Sequence, residues 1–181
     1  MDLALDRFAR QRGLDPDAVR REHPRVSERS FDSNHKFMRT TVLKNGQAVS
    51  YLKGAPEVLM ARCALPSTEK AALTEKALAY AGEGNRVLAL ACGPGESESG
   101  LEFLGLALFW DPPRREAPDA IRKAREAGIR VVMVTGDHPA TAKAIAGLVG
   151  IEGERVVTGE EFERLRGEDL RAFSSLANYL A

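Results

Sequence analysis

The first fifty-odd residues combine a helical pattern with two strand patterns. Apolar residues recur at helical spacing within residues 2–12 and Gly13 follows, which predicts an amphipathic helix. Residues 16–29 are charged and show no regular period, so we expect irregular structure there. The runs "KFMRTTVL" and "QAVSYLK" then alternate like strands around Asn45-Gly46, a dipeptide typical of a tight hairpin turn.

Helices and further strands follow the hairpin. Residues 56–63 and 67–82 predict two helices, the first with Pro56 at a starting position, and "RVLALA" at 86–91 predicts a buried strand. The run "CGPGESESG", residues 92–100, predicts an exposed turn between strands. The strand-like "LEFLGLALFW" comes next, so this half of the chain is predicted to be α+β.

Two consecutive prolines mark a boundary. Pro112 and Pro113 lack amide donors and fix their own backbone, so "DPPR" predicts a stiff hinge. We therefore expect one domain at 1–110 and a second at 111–181.

Beyond this boundary, helices and strands alternate. The helix "APDAIRKAREAG" precedes the strand "IRVVMVT" and the helix "PATAKAIAGLVG", and "RVVTGEEFERLR" adds a short strand and helix before an amphipathic C-terminal run, "EDLRAFSSLANYLA". Such alternation with a continuous apolar strand predicts a parallel sheet covered on both faces.

Composition narrows the class of protein. The 181 residues carry 26 basic and 26 acidic side chains, a balance that does not indicate a nucleic-acid partner. No apolar run approaches the ~20 residues of a membrane span, and the start does not resemble a signal peptide, so we expect a soluble cytosolic chain. Cys63 and Cys92 are interpreted as buried free thiols, and the three histidines lack the spacing of a metal site.

A ligand-binding loop is predicted after the strand of the second half. Thr135, Gly136 and Asp137 lie at its carboxyl end, where open α/β sheets bind ligands. Asp137 is either a helix N-cap, paired with Thr141, or a carboxylate that touches a ribose hydroxyl or holds Mg²⁺ through water. Both interpretations remain open from the sequence.

The first half offers an aromatic ring and several cations. Lys53 ends a strand and small residues beginning with Gly54 follow it, so its ammonium group is either solvated or open to a phosphate or a flat ring. Phe31 precedes a polar run that ends at Lys36, and its ring is either core or free to stack on a base. Arg86 begins a buried strand and either forms a salt bridge or grips phosphate.

Five ordered motifs give these residues a family context. In order, "FDSNHKFM", "KGAPE", "GNRVLALA", "DPPR" and "MVTGDHPATAKAIA" resemble the cytoplasmic part of P-type cation-transporting ATPases, nearer to the calcium and sodium/potassium pumps than to the heavy-metal branch. The resemblance implies an α+β nucleotide-binding (N) domain, an antiparallel sheet flanked by helices, at 1–110. A partial α/β haloacid-dehalogenase-like (Rossmann-like) phosphorylation (P) domain at 111–181 is implied to follow.

The resemblance also implies roles for single residues. Adenine would stack on Phe31, with Lys36 and Lys53 near the base and the small Gly54 keeping the pocket wall low. Arg86 would contact phosphate. Asp2 matches an acidic residue near the adenine amino group, and Ser33 occupies a position where some members have a phosphate-binding arginine. Thr135, Gly136 and Asp137 match a loop that meets the nucleotide and assists the Mg²⁺ site.

The bound nucleotide implied is ATP, with Mg²⁺ in the complete protein. The family's Asp-Lys-Thr-Gly-Thr and Gly-Asp-Gly-x-Asn-Asp motifs do not occur in this sequence. We therefore expect a segment of a pump that binds nucleotide but is not itself catalytic, since phosphoryl transfer needs the nucleophile in line with the γ-phosphate. Its implied partners are transmembrane, actuator and remaining phosphorylation-domain segments, at the cytoplasmic face of a membrane.

Two alternatives stay open. A soluble haloacid-dehalogenase-like phosphohydrolase would need an Asp-x-Asp pair after an apolar strand, and the only such string, Asp15-Pro16-Asp17, lies in a polar stretch. A free-standing nucleotide-binding module is the other.

Overall fold

The computed structural model describes residues 2–151, 156–164 and 179–180. Its elements run in the order α1 (Asp2–Gln11), α2 (Pro16–Glu22), β1 (Arg25–Asp32), β2 (Phe37–Lys44), β3 (Gln47–Gly54), α3 (Pro56–Arg62), α4 (Ser67–Gly82), β4 (Arg86–Pro94), β5 (Glu102–Phe109), α5 (Ala117–Glu126), β6 (Met133–Val134), α6 (Pro139–Val149), β7 (Val156–Val157), α7 (Gly159–Arg164) and β8 (Tyr179–Leu180). The chain divides into two compact units. The first is Met1–Ala77 with Val87–Phe109, and the second is Leu78–Arg86 with Trp110–Ala181.

The first unit is built on a five-stranded sheet in the order β1-β2-β3-β4-β5. Strands β1 to β4 pair antiparallel, each with the next. The predicted hairpin is confirmed, because Lys44 pairs with Gln47 across β2 and β3. Asn45 and Gly46 between them have φ values of 51° and 76°, the left-handed conformation that a two-residue hairpin turn requires.

The core of this unit lies between the sheet and the helices beside it. The buried residues that form it are Phe37, Leu52, Leu59, Cys63, Ala89, Ala91 and Leu101. Leu59 lies on α3, whose first residue is Pro56 as predicted, and α4 is confirmed as the second helix. The predicted α+β arrangement of this half is therefore the one observed.

The prediction of irregular structure at 16–29 is wrong. This stretch forms α2 and most of β1. Asp15 caps α2 by accepting a 3.0 Å hydrogen bond from the amide of Asp17, and α2 buries none of its residues. The helix therefore has no apolar stripe, which is why hydrophobic periodicity did not reveal it. The Asp-Pro start was the available signal.

The segment 92–100 is more ordered than a plain exposed turn. Strand β4 continues to Pro94, which pairs with Val49, so Cys92 lies within a strand and is only half-buried. The turn that follows is held by two arginines from the sheet, because Arg39 and Arg29 contact the Glu98 carboxylate at 3.1 and 2.7 Å. The expectation of two buried thiols therefore holds for Cys63 alone.

The second unit contains a three-stranded sheet in the order β6-β8-β7, with both pairings parallel. A small core of Ala146, Val149 and Ile151 packs against it, joined by the partly buried Ala117, Ile121, Val131 and Met133. The parallel sheet is confirmed. The strand predicted at 129–135 is reduced to β6, however, and Val134 is 70% exposed, so this strand is not covered on both faces.

The remaining predictions concern the C-terminal part and membrane spans. The short strand and helix expected near 155–166 are present as β7 and α7. The amphipathic run at 168–181 lies outside the described residues except for 179–180. Within 2–151, 156–164 and 179–180, no helix combines the length and apolar character needed to cross a membrane.

Candidate functional site

A β-bulge near the end of β1 exposes the ring of Phe31. From Arg29 to Asp32 the strand advances three residues, whereas its partner β2 advances only two, from Arg39 to Phe37. An extra residue reverses the alternation of side chains. Arg29 lies over the buried Phe37 ring, at 5.2 Å from its centroid, whereas Phe31 is 64% exposed. The interpretation of Phe31 as a core residue is therefore wrong.

The same register relates Phe31 to Lys53. Lys53 pairs with Met38 on the adjacent strand, and paired residues share a face of a sheet. Phe37, which precedes Met38 on β2, contributes to the core on the other face of the sheet. Because the bulge shifts β1 by one residue, Phe31 falls on the side of Met38 and Lys53.

A tight turn connects Phe31 to Lys36. The Oδ1 atom of Asp32 accepts hydrogen bonds from the amides of Asn34 and His35, at 2.8 and 3.2 Å, and lies 3.0 Å from His35 Nδ1. The contact with the His35 ring and the two amide bonds keep the pKa of Asp32 below its ordinary value. Ser33 and Lys36 are exposed on this turn, and Lys36 has a φ of 55°.

Gly54 has a structural task beside this turn. The carbonyl of Lys36 accepts a 2.9 Å hydrogen bond from the amide of Ala55. A Cβ atom on Gly54 would lie 2.5 Å from that carbonyl oxygen and 2.5 Å from the Cβ of Phe37. The space beside Gly54 is thus filled by the protein's own backbone, and the glycine allows β2 and β3 to meet at this end.

Lys53 and Asp2 form an ion pair. The ammonium group donates a hydrogen bond to Oδ1 of Asp2, which joins β3 to the first residue of α1. This hydrogen bond from Lys53 is the main reason that the pKa of Asp2 is lowered. The Lys53 side chain is 23% exposed and that of Asp2 79%, so the pair lies at the surface of the unit. Two sequence-predicted site residues are therefore in contact.

In the second unit, the loop after β6 is held by its own side chains. The Thr135 hydroxyl donates to Oδ2 of Asp137 and accepts from the Asp137 amide, both at 3.1 Å, while the Gly136 between them is exposed. The N-cap of α6 is His138, whose Nδ1 accepts from the amide of Ala140 at 3.2 Å. The N-cap interpretation of Asp137 is thus wrong, because α6 begins one residue later than it requires.

Because α6 begins after His138, Oδ1 of Asp137 does not cap the helix and is available for another partner. Oδ1 of Asp137 lies 3.6 Å from Nη1 of Arg86, the first residue of β4. That separation exceeds hydrogen-bond distance and describes a loose ion pair. The expected pairing of Thr141 with Asp137 is also absent, since the Thr141 hydroxyl donates to the Asn85 carbonyl at 3.0 Å.

The predicted site residues fall into two groups. Asp2, Phe31, Ser33, Lys36, Lys53 and Gly54 belong to the first unit, and Arg86, Thr135, Gly136 and Asp137 belong to the second. The convergence of Phe31, Lys53 and Arg86 around one purine therefore stays a prediction. Asp32 is the residue of this site that sequence reasoning missed. An aspartate followed by Ser-Asn after a strand is a turn signal that could have identified it.

Comparison with known proteins supplies a family. The profile of the family described as P-type ATPase, cytoplasmic domain N, matches residues 1–116. The chain is 33% identical to calcium-transporting ATPase 1 of Lactococcus lactis, over 94% of the chain and 22% of that protein. It is 37% identical to the calcium-transporting ATPase of Bacillus subtilis, over 92% of the chain and 21% of that protein. It is 35% identical to the human sodium/potassium-transporting ATPase subunit alpha-4, over 88% of the chain and 18% of that protein.

These relatives are much longer proteins. The chain spans about a fifth of the length of each. The family match covers the first unit's five-stranded sheet and its flanking helices, which agrees with the fold expected from the motif order. The chain belongs to the P-type cation-transporting ATPase family, through its cytoplasmic N domain.

Proposed function

We propose that this chain binds the adenine ring of ATP through its first unit. The observation that carries the proposal is the bulge in β1, which exposes the ring of Phe31 on the side of the sheet where Lys53 lies. A flat exposed aromatic ring offers a stacking surface for a base, and a neighbouring cation favours the nucleotide's negative charge. Lys36 and Ser33 border this surface, and Asp2 is held beside it by Lys53.

The second unit is proposed to supply contacts to the phosphates. Arg86 would bind a phosphate oxygen, because its present ion pair with Asp137 is loose and a guanidinium group has five donors. Thr135, Gly136 and Asp137 would face the same group. No cluster of three or more acidic, histidine or cysteine side chains suited to a metal occurs within the described residues. Mg²⁺ would therefore be held largely by phosphate oxygens and water, with Asp137 as the contributing carboxylate.

The domain assignment is part of this proposal. Residues 1–110 form the nucleotide-binding domain, and residues 111–181 form part of a haloacid-dehalogenase-like phosphorylation domain. The parallel sheet of β6, β7 and β8 with α5 and α6 beside it supports the second assignment, since parallel strands alternating with helices are typical of that class.

The complete protein is proposed to couple ATP hydrolysis to cation transport across a membrane. The relatives that this chain resembles are named as calcium-transporting and sodium/potassium-transporting ATPases, and they extend far beyond the matched region. Transmembrane, actuator and remaining phosphorylation-domain segments would be its partners. The chain itself would bind nucleotide without carrying the phosphorylated aspartate.

Titration of ATP into ¹⁵N-labelled protein tests the proposal. The amide signals of Phe31, Lys53 and Arg86 should shift together with one dissociation constant. Phe31→Ala should weaken binding by about tenfold, the loss of ~1.4 kcal/mol that one stacked base commonly contributes. Phe8→Ala, which removes another exposed ring outside the site, is the matched control and should bind as the unsubstituted protein does.

Two results would contradict the proposal. One is a titration in which the three amide signals do not respond to ATP. The other is hydrolysis of a generic phosphate monoester by the purified chain that Asp137→Ala abolishes, which would favour a soluble phosphohydrolase instead.

A further inference from the structure

The turn between β1 and β2 is organised around one carboxylate. Oδ1 of Asp32 accepts from two backbone amides, those of Asn34 and His35, and its backbone carbonyl accepts from the Lys36 amide at 2.7 Å. Asp32 therefore holds three successive donors of the turn that separates Phe31 from Lys36. Asp32 itself is exposed and its carboxylate is directed at its own loop.

The two ends of this turn are fixed in different ways. Phe31 lies directly before Asp32 within the bulge, so the residue whose carboxylate bonds the Asn34 and His35 amides is the chain neighbour of the exposed ring. Lys36 at the other end has a φ of 55°, a conformation that a side-chain-bearing residue adopts only when its surroundings favour it. Its carbonyl is in turn anchored by the amide of Ala55.

Preorganisation of this kind affects binding directly. A turn that must be ordered when the ligand arrives costs affinity, and a turn already held in the bound shape does not. In the short polar loop "DSNHK" the His35 ring lies edge-on to Phe37, with 6.4 Å between the ring centroids. The hydrogen bonds to the Asp32 carboxylate constrain the backbone of the turn itself.

We propose that Asp32 is a positioning residue for adenine recognition, which presents Phe31 and Lys36 to the base without touching the nucleotide. This inference rests on the proposed function, since it presumes that adenine binds at Phe31. Asparagine retains the Oδ1 acceptor and alanine does not, so the two substitutions separate hydrogen bonding from charge.

The experiment compares Asp32→Ala and Asp32→Asn with the unsubstituted chain. Affinity is measured for AMP, which presents the base with one phosphate, and for inorganic tripolyphosphate, which has no base. Asp32→Ala should weaken AMP binding by about fivefold and leave tripolyphosphate binding unchanged, whereas Asp32→Asn should stay within about twofold for both. A general loss of structure would affect both ligands alike.

Asp15→Ala is the matched control. Asp15 makes the same kind of bond, from its carboxylate to the amide two residues on, but at the start of α2. The Asp15→Ala substitution should leave AMP binding unchanged. Hydrogen exchange of the Asn34 and His35 amides in the absence of ligand should be faster in Asp32→Ala and close to normal in Asp32→Asn.

The outcomes separate the two proposals. Normal AMP affinity in Asp32→Ala would overturn the role of Asp32 alone, and so would an equal loss in Asp32→Asn, which would mean that the charge and not the turn matters. Absence of AMP and ATP binding by the unsubstituted chain would overturn the proposed function and this inference together.

Discussion

The ammonium group of Lys53 donates a hydrogen bond to the carboxylate of Asp2, 51 positions earlier in the chain. This contact ties the first residue of α1 to the strand that carries Lys53. It also neutralises a lysine that sits on the side of the sheet where Phe31 is exposed. The electrostatics of the proposed adenine surface are therefore set by a pair of residues rather than by a lone cation.

The first prediction concerns acid stability. Because the pKa of Asp2 is lowered in the folded chain, its pairing with Lys53 stabilises the fold above the ordinary value of 3.8 and loses this effect as the pH falls through the lower, folded value. Solvent screens a pair this exposed, so the free energy of unfolding should fall by at most ~1 kcal/mol in Asp2→Asn at pH 7. Urea unfolding of both proteins at several pH values should show the difference shrink as the pH falls from 3.8 through the lower pKa of Asp2 in the folded chain. A difference that persists at lower pH would contradict this explanation.

The second prediction concerns Lys53 and the nucleotide. Lys53→Ala removes the ammonium group and leaves the Asp2 carboxylate unpaired on this side of the sheet, where it would repel the nucleotide, so we expect ATP affinity to fall by about fivefold, or ~1 kcal/mol. Lys44→Ala removes a lysine from the other end of the same hairpin and should have no such effect. Isothermal titration of the two variants measures both. Equal ATP affinities of Lys53→Ala and Lys44→Ala would contradict a role of Lys53 in nucleotide binding.

The third prediction tests the close approach at Gly54. Gly54→Ala places a methyl group 2.5 Å from the Lys36 carbonyl oxygen, so the backbone must move, and we expect the free energy of unfolding to fall by about 1–3 kcal/mol. Gly147→Ala is the control, since Gly147 lies inside α6 and, among the described residues, no atom beyond its own stretch of helix lies within 4 Å of the added carbon. That substitution should stabilise the chain by up to ~1 kcal/mol. Equal behaviour of the two variants in thermal unfolding would show that β2 and β3 tolerate a side chain at this point.

The fourth prediction separates two roles of Asp137. If Arg86 binds phosphate, the neighbouring carboxylate competes for the guanidinium group and repels the anion. Without Mg²⁺, Asp137→Asn should then bind ATP about threefold more tightly than the unsubstituted chain, a difference of ~0.7 kcal/mol. With Mg²⁺ present, the same variant should bind ATP more weakly than the unsubstituted chain. Asp119→Asn, at an exposed position on α5, should change neither affinity. Tighter binding under both conditions would rule out a contribution of Asp137 to the metal.

Local patterns determined much of this protein. The hairpin at Asn45-Gly46, helices α3 to α6 and the strands β2 to β5 follow from signals that span a few neighbouring residues, such as alternation, helical spacing, proline starts and turn dipeptides. The order of five motifs was also sufficient to identify the family. Periodicity failed at α2, because a helix that makes ion pairs and buries nothing has no apolar stripe.

Only the tertiary structure decided the directions in which the side chains of the proposed site point. The exposure of Phe31 depends on a bulge, and a bulge is defined by the register of the partner strand, which no local pattern contains. The same is true of the Lys53 pair with Asp2 and the approach of the Lys36 carbonyl to Gly54, which join residues far apart in the chain. The sequence thus determined which residue types could bind a nucleotide. Their orientation was decided by long-range contacts, since a side chain's direction depends on what its backbone pairs with.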